Sequence, residues 1–276
     1  MFPLLAVLGL VVLSLIALRL WDERADKQEW ERLAGTQPAR PARFDLSMVA
    51  ELPEPARRYF AFAIQPGTTL ATVAEIAMGG EFSLGSSDSP NYRPMAARQV
   101  LAAPTGFIWK VRMRGLVSVT GSDTGSWTRF RIFGLIPVAR IGGGPDHPRA
   151  AFGRFVAEAV IWTPAALLPR DGVTWEALDQ DSARVTVTHN GLSQTVDVKV
   201  DAEGRPTVVH FMRWSNANAE KSYRLQPFGA YLSDFREVQG FCLPFAVKAG
   251  NMFGTAEFLA FFQAQVTSVR FPVARS

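Results

Sequence analysis

The sequence predicts a mainly β (α+β) protein: an N-terminal transmembrane helix, then a large curved antiparallel sheet, half-barrel-like, with an embedded amphipathic helix. Three observations predict it. Phe2 to Leu18 carries no charge. From Thr69 onward the apolar residues recur with period two, in runs joined by short connections. One stretch, Phe152 to Val160, switches to helical spacing. Short connections imply antiparallel pairing, because parallel strands need long crossovers. A large sheet with one amphipathic helix buries the helix stripe by curving around it or by closing partly into a barrel.

The first element is the anchor. Leu20 and Trp21 extend the apolar run past Arg19. A helix over Phe2–Leu18 spans roughly 26 Å, just enough for a hydrocarbon core if Arg19 snorkels and Trp21 sits at the interface. A cleaved signal peptide is the rival reading. No basic residue precedes the run, however, and Asp22-Glu23-Arg24-Ala25-Asp26-Lys27 follows in place of a small-residue cleavage site. Residues 1–21 are therefore expected to be an uncleaved anchor, with the lipid bilayer as partner through residues 2–21. Arg19, Arg24, Lys27 and Arg32 follow the span and none precedes it, so the positive-inside rule predicts a cytoplasmic domain, with a periplasmic one as the alternative.

Residues 22–50 read as a charged, helix-compatible segment and a linker, Gly35-Thr36-Gln37-Pro38-Ala39-Arg40-Pro41. Residues 51–276 read as one β-rich globular domain. It opens with a short helix around Glu54–Ala63, where Pro55 is tolerated in the first turn. Phe107, Trp109, Val111 and Met113 alternate with Lys110, Arg112 and Arg114, a half-buried strand. Gly121-Ser122-Asp123-Thr124-Gly125 looks like a hairpin loop before a strand over Trp127–Val138.

The sharpest local prediction is a hairpin of Ala183–His189 and Leu192–Val200 around Asn190-Gly191, a dipeptide suited to the positive φ angles of a type I′ turn. Its register sets Val185 opposite Val196 and Arg184 opposite Asp197, so apolar and charged faces separate. Further strands are expected at Thr207–Trp214, Tyr223–Leu225, Val238–Val247 and Glu257–Phe271, the last apolar on both faces and hence covered on both. Between the strands, Phe152, Phe155, Val156, Ala159 and Val160 form one helical stripe, with Arg154 and Glu158 on the other side and Pro164 as terminator.

Composition narrows the function classes. An apolar share of 48% with 20% charged residues is that of a folded chain. A net charge of +4 is modest for this length and falls short of a nucleic-acid footprint, which clusters positive charge on one face, so no nucleic-acid partner is expected. One cysteine, Cys242, excludes an internal disulfide and a CxxC metal site, and its apolar neighbours point to a buried, inert thiol. Three histidines leave little for a metal site, and neither metal nor cofactor is expected.

The candidate site residues are weighed against structural roles. Gly142-Gly143-Gly144-Pro145-Asp146-His147-Pro148 precedes the helix and could hold an anion on free amides; it lacks P-loop and GxGxxG spacing, and Asp146 could cap the helix instead. His147 enters as a candidate from this loop. Glu158, four residues after Arg154, is either a general acid/base or half of an ion pair. Lys110, Arg112, Arg114, Arg129 and Arg131 are placed on two neighbouring strands, as a solvated face or a stripe toward membrane phosphates. Trp109 is read with the other tryptophans as core or as the lining of an apolar ligand site.

Several segments carry a resemblance. They are Leu52-Pro53-Glu54-Pro55-Ala56-Arg57-Arg58-Tyr59, Phe107-Ile108-Trp109, Arg154-Phe155-Val156-Ala157-Glu158, and Ile161-Trp162-Thr163-Pro164-Ala165-Ala166-Leu167-Leu168-Pro169 followed by Trp175. Together they resemble an uncharacterised bacterial conserved-domain family of unknown function, from about Leu52 to the C-terminus. The stretch from Glu158 to Pro169 is the most specific, and Ala165 stands where Thr is expected. The resemblance implies no activity and no catalytic residues, but it singles out Glu158, Trp162 and Arg58. It also implies a bacterial inner (cytoplasmic) membrane for the anchor. Separately, a curved sheet with a helix on its concave face looks like the half-barrels of lipoprotein carriers, an analogy of fold alone.

Three readings follow. The first is a membrane-anchored binding protein for a hydrophobic or amphiphilic ligand, with Glu158, Arg58, Trp162, Trp109 and His147 as candidate ligand contacts. The alternative is an accessory or scaffold subunit of a membrane protein complex. A hydrolase-type enzyme using Glu158 comes third.

Overall fold

Thirteen strands join in one open antiparallel sheet in this computed structural model, which describes residues 2–273. In chain order they are β1 (Ala74–Ser83), β2 (Tyr92–Ala102), β3 (Gly106–Met113), β4 (Val119–Thr124), β5 (Trp127–Ile132), β6 (Ile136–Gly142) and β7 (Val173–Ala177). They continue as β8 (Ser182–His189), β9 (Leu192–Val200), β10 (Pro206–Ser215), β11 (Arg224–Val238), β12 (Phe241–Asn251) and β13 (Leu259–Arg270). The α-helices among the described residues are α1 (Phe2–Ala34), α2 (Glu54–Ala63) and α3 (Asp146–Trp162).

The sheet order is β6-β5-β4-β3-β2-β1-β13-β12-β11-β10-β9-β8-β7. Sequence neighbours pair within two meanders, β1 to β6 and β7 to β13, and β1 pairs with β13 to join them. The edges are β6 and β7, and α3 connects them. This helix touches β2 and β3 of one meander and β9, β10 and β12 of the other. A flat sheet could not bring those strands to one helix, so the sheet curves around α3.

The inner face carries the main core: Phe107, Trp109, Val111 and Met113 of β3, Val196 and Val198 of β9 and Val209 and Phe211 of β10 are all buried. α3 is buried nearly all round, as a helix apolar on most of its surface must be. Gly153 lets it approach the sheet: a Cβ there would lie 2.7 Å from Gln194 Oε1 and 3.2 Å from Phe211 Cε2. That closeness offsets the roughly 1 kcal/mol that glycine costs in a helix interior. The Tyr59 hydroxyl of α2 donates to the Val160 carbonyl at 2.7 Å, tying α2 to α3.

The Asn190-Gly191 hairpin has the expected register, Val185 opposite Val196 and Arg184 opposite Asp197, with Arg184 Nε 2.6 Å from Asp197 Oδ1. Asn190 and Gly191 have φ of 49° and 77°. Other elements differ from the expectations. Gly121–Thr124 belongs to β4 rather than a loop, because the Phe130 ring fills the space beside Gly121, 2.4 Å from where its Cβ would sit. β4 therefore separates β3 from β5, and the basic residues do not lie on neighbouring strands. The strand expected at Val238–Val247 is two strands parted by a turn at Gln239-Gly240, both at positive φ. β13 is not covered on both sides: Ala264, Val266 and Val269 are buried, whereas Gln265, Thr267 and Ser268 are exposed.

On the outer face, Arg98, Lys110, Ser122, Arg129 and Arg140 lie side by side across β2 to β6. The C-terminal half of α1 crosses this row. Asp22 contacts Arg129 at 3.0 Å, Arg140 at 2.5 Å and Arg131. Asp26 accepts from Ser122 at 2.8 Å and meets Lys110 at 3.2 Å. Trp30 lies 5.3 Å beneath the Arg98 guanidinium, and Leu33 is buried with Val73, Val100 and Ile108. Asp22, Asp26, Trp30 and Leu33 share one helix face by their spacing. Gln37, in the segment read as a linker, is buried and bonded to the backbone of Thr72, Val73 and Pro272. The segment of α1 that is long and apolar enough to cross a membrane is not buried against the sheet.

Asp22 is 3% exposed and faces three guanidiniums. Burial, then the nearby Arg140, holds Arg129 and Arg131 below the usual arginine range. An Asp22→Ala substitution removes their counter-ion and should cost about 3–5 kcal/mol. Thermal unfolding and amide exchange check this: the midpoint should fall and residues 22–34 should exchange faster, whereas unchanged exchange would refute the docking.

Candidate functional site

A cavity of about 270 Å³ lies between α3 and the inner face of the sheet. Its wall is largely apolar, with Phe82, Phe130, Phe211, Phe228 and Phe262 from the strands and Ile161 and Trp162 from α3. These residues meet because the sheet curves: β1, β3, β4 and β5 supply one side, and β10 to β13 the other. Alternation does the rest, directing every second side chain of each strand to the inner face.

Four charged groups interrupt the apolar wall: Asp123, Arg154, Glu158 and Arg213. Arg154 Nη1 donates to Asp123 Oδ2 and its Nε to Glu158 Oε1, each at 2.7 Å. The other Glu158 oxygen accepts from the amide of buried Gln99. Thr128 donates to Asp123 at 2.5 Å. The Arg154 guanidinium lies over the rings of Phe107 and Trp109, at 4.5 and 5.2 Å. Burial pulls Arg154 down, but the two carboxylates outweigh it, so it sits above the ordinary arginine value and stays charged. Glu158 is therefore an ion-pair partner inside the fold rather than half of a surface pair.

Arg213 differs. Among the described residues it has no carboxylate within 4.0 Å, and its Nε is buried without a hydrogen-bond partner. Its guanidinium lies 5.0 Å from the Phe228 ring. Burial, reinforced by the charge of Arg154, pushes it down to about 10, so it is still charged at neutral pH. The Trp109 indole Nε1 is likewise buried and unpartnered.

Three of the five sequence-derived candidates meet at this cavity: Glu158, Trp109 and Trp162 all line it. Trp162 is anchored by its Nε1 donating to the Pro244 carbonyl at 3.3 Å. Arg58 lies elsewhere, on α2. It is 2.8 Å from Glu54, donates to the Asp201 and Gln180 carbonyls and meets Asp181 at 2.9 Å, pinning two turns of the second meander. His147 is also outside the lining; its Nε2 donates to the Thr124 carbonyl at 3.0 Å and ties the start of α3 to β4. Asp146 does not cap α3 but accepts from the Trp214 indole at 2.8 Å, and Pro145 holds the cap position. Cys242 is half-buried rather than buried, and burial, then Glu237, pushes its thiol up, away from the reactive thiolate.

Arg213 and Asp123 were missed as site residues. Asp123 sat in a supposed loop. Arg213 had a usable signal: it falls in phase with Val209 and Phe211, a charge on the apolar side of an alternating strand. No group of three or more His, Cys, Asp or Glu with metal-binding proximity occurs among the described residues.

A family model described as Family of unknown function (DUF6544) matches residues 42–264, and the chain belongs to that family. No curated protein matches the chain significantly. Among solved structures, a LolA superfamily protein from Nitrosomonas europaea is 10% identical over 79% of this chain and 92% of its own, with a TM-score of 0.42. A domain described as an outer membrane lipoprotein-sorting protein, from Vibrio parahaemolyticus, is 11% identical over 84% of this chain and 93% of its own, with a TM-score of 0.38. Likenesses at these scores assign neither ligand nor activity to this chain.

Arg154 neutralises two carboxylates at once, so an Arg154→Leu protein should lose about 3–5 kcal/mol. Glu158→Gln should cost less, about 1–2 kcal/mol, because the amide oxygen still accepts a hydrogen bond. Urea unfolding of both variants checks the order, and equal losses would contradict the central role of Arg154.

Proposed function

We propose that this member of the DUF6544 family is a membrane-anchored binding protein for a hydrophobic or amphiphilic ligand. The observation that carries the reading is the apolar cavity between α3 and the curved sheet, interrupted by only a few charged groups. A cavity of that kind, with few polar groups to orient an occupant, suits ligand binding better than it suits packing alone. Within this reading Glu158, Trp109 and Trp162 face the ligand.

Anchoring is part of the same proposal. Residues 1–21 serve as the span, residues 22–50 as the charged connection and residues 51–276 as the binding domain. Asp22, Asp26, Trp30 and Leu33 dock the charged connection on the sheet and hold the domain close to the end of the span. The basic residues after the span favour the cytoplasmic side of a bacterial inner membrane.

A second reading, an accessory subunit of a membrane complex, draws support from edge strand β6. It is unpaired on one side, and Phe133, Ile136, Val138 and Ile141 in or beside it are exposed. Hydrolysis through Glu158 has less support, as both of its oxygens are engaged by Arg154 and Gln99.

Full-length protein, gently purified and extracted with organic solvent, should release about one amphiphile per chain by mass spectrometry. Ala249 lines the cavity, and an Ala249→Phe substitution should cut the retained ligand about tenfold while the protein still folds. Repeatedly empty wild-type preparations would remove the binding reading.

A further inference from the structure

The binding reading leaves open what the polar end of a ligand looks like, and two side chains that line the cavity carry donors that nothing in the protein uses. Arg213 lies in phase with Val209 and Phe211 on the inner face of β10, and all three line the cavity. Its Nε is buried without a hydrogen-bond partner, and no carboxylate of the described residues lies within 4.0 Å of it. Trp109, 3% exposed, lines the same cavity, and its indole Nε1 is buried and equally unpartnered. Buried donors are almost always satisfied, so two in one cavity mark a place for an acceptor.

The carboxylates already present do not fill that role. Glu158 spends one oxygen on Arg154 and the other on Gln99, and Asp123 is shared between Arg154 and Thr128. Arg154 is satisfied by this pair, whereas Arg213 stands as a cation among aromatic rings, over Phe228. An incoming anion would therefore be held by Arg213. A single charge suits the site better than two, because Asp123 and Glu158 line the same cavity and repel a dianion more strongly.

Resting on the binding reading, we propose that the ligand is a single-chain amphiphile with a carboxylate head, its oxygens accepting from Arg213 and Trp109 and its chain lying among the cavity phenylalanines. The small volume, about 270 Å³, favours one chain over two. The carboxylate and guanidinium form a charge-assisted pair whose strength rises with burial. In the empty protein the same Arg213 is a liability, because a half-buried, unpaired charge with a buried, unsatisfied Nε opposes folding.

The test uses full-length protein in phosphatidylcholine nanodiscs, with empty discs as the control for partition. Retention of labelled palmitate, hexadecanol and hexadecyl phosphate is measured for wild type, Arg213→Met and Arg213→Lys. Expected is palmitate binding at least tenfold tighter than either other probe in wild type. The preference should vanish in Arg213→Met, while hexadecanol is still retained, and should persist in part in Arg213→Lys. Arg213→Met should also unfold at a higher temperature, which separates loss of recognition from loss of fold. Equal retention of palmitate and hexadecanol, with no effect of Arg213→Met, would overturn the carboxylate proposal and leave the cavity reading standing. Tighter binding of hexadecyl phosphate would overturn the choice of a monoanion. Retention of none of the three probes would overturn both readings.

Discussion

Pairing of β1 with β13 is the constraint on which the architecture depends. It joins the first and last strands of the sheet in its middle and sends β6 and β7, consecutive in sequence, to opposite edges. The segment between them must then travel from edge to edge. A flat sheet of thirteen strands would set those edges about 58 Å apart. The 17 residues of α3 span only about 25 Å, and the buried turn at Pro164–Leu167 that follows is compact. Curvature of the sheet brings the edges within reach, and α3 settles on the inner face. The cavity is the space that this curvature leaves between helix and strands.

What fills the remaining wall follows from the cost of burying charge. Arg154 is tolerated in the interior because two carboxylates and two aromatic faces surround it. That network fixes the angle of α3 against β2 to β4 and thereby sets the shape of one side of the cavity. Arg213 has no such compensation on the other side. A fold selected for stability alone would place an apolar residue there, so its presence is informative in the way strained or unsatisfied groups at binding sites generally are.

The outer face is organised by a different set of charges. Strand pairing lines up basic side chains across β2 to β6, and α1 answers them with Asp22 and Asp26 at four-residue spacing. The helix thus continues without a break from its apolar part onto the sheet.

Local patterns were legible in the sequence because they depend on neighbours. The bounds of α2, the stripe of α3, the alternation of β3 and the register of the Asn190-Gly191 hairpin all follow from spacing and turn chemistry, and Trp109, Glu158 and Trp162 were named from residue type and resemblance. The Gln239-Gly240 turn escaped because glutamine is no turn signal, and β4 escaped because its glycine is completed by a ring from the next strand. Arg213 could have been noticed as a charge in apolar phase, but phase alone does not separate a cavity from solvent. That Arg58 and His147 brace turns and a helix start, while Arg213 and Trp109 line one cavity, depends on which distant strands meet. By itself the sequence determined the alternation, the helices and the antiparallel meanders. Only the tertiary structure decided which in-phase side chains share a cavity, because that depends on β1 meeting β13 and on the curvature that follows.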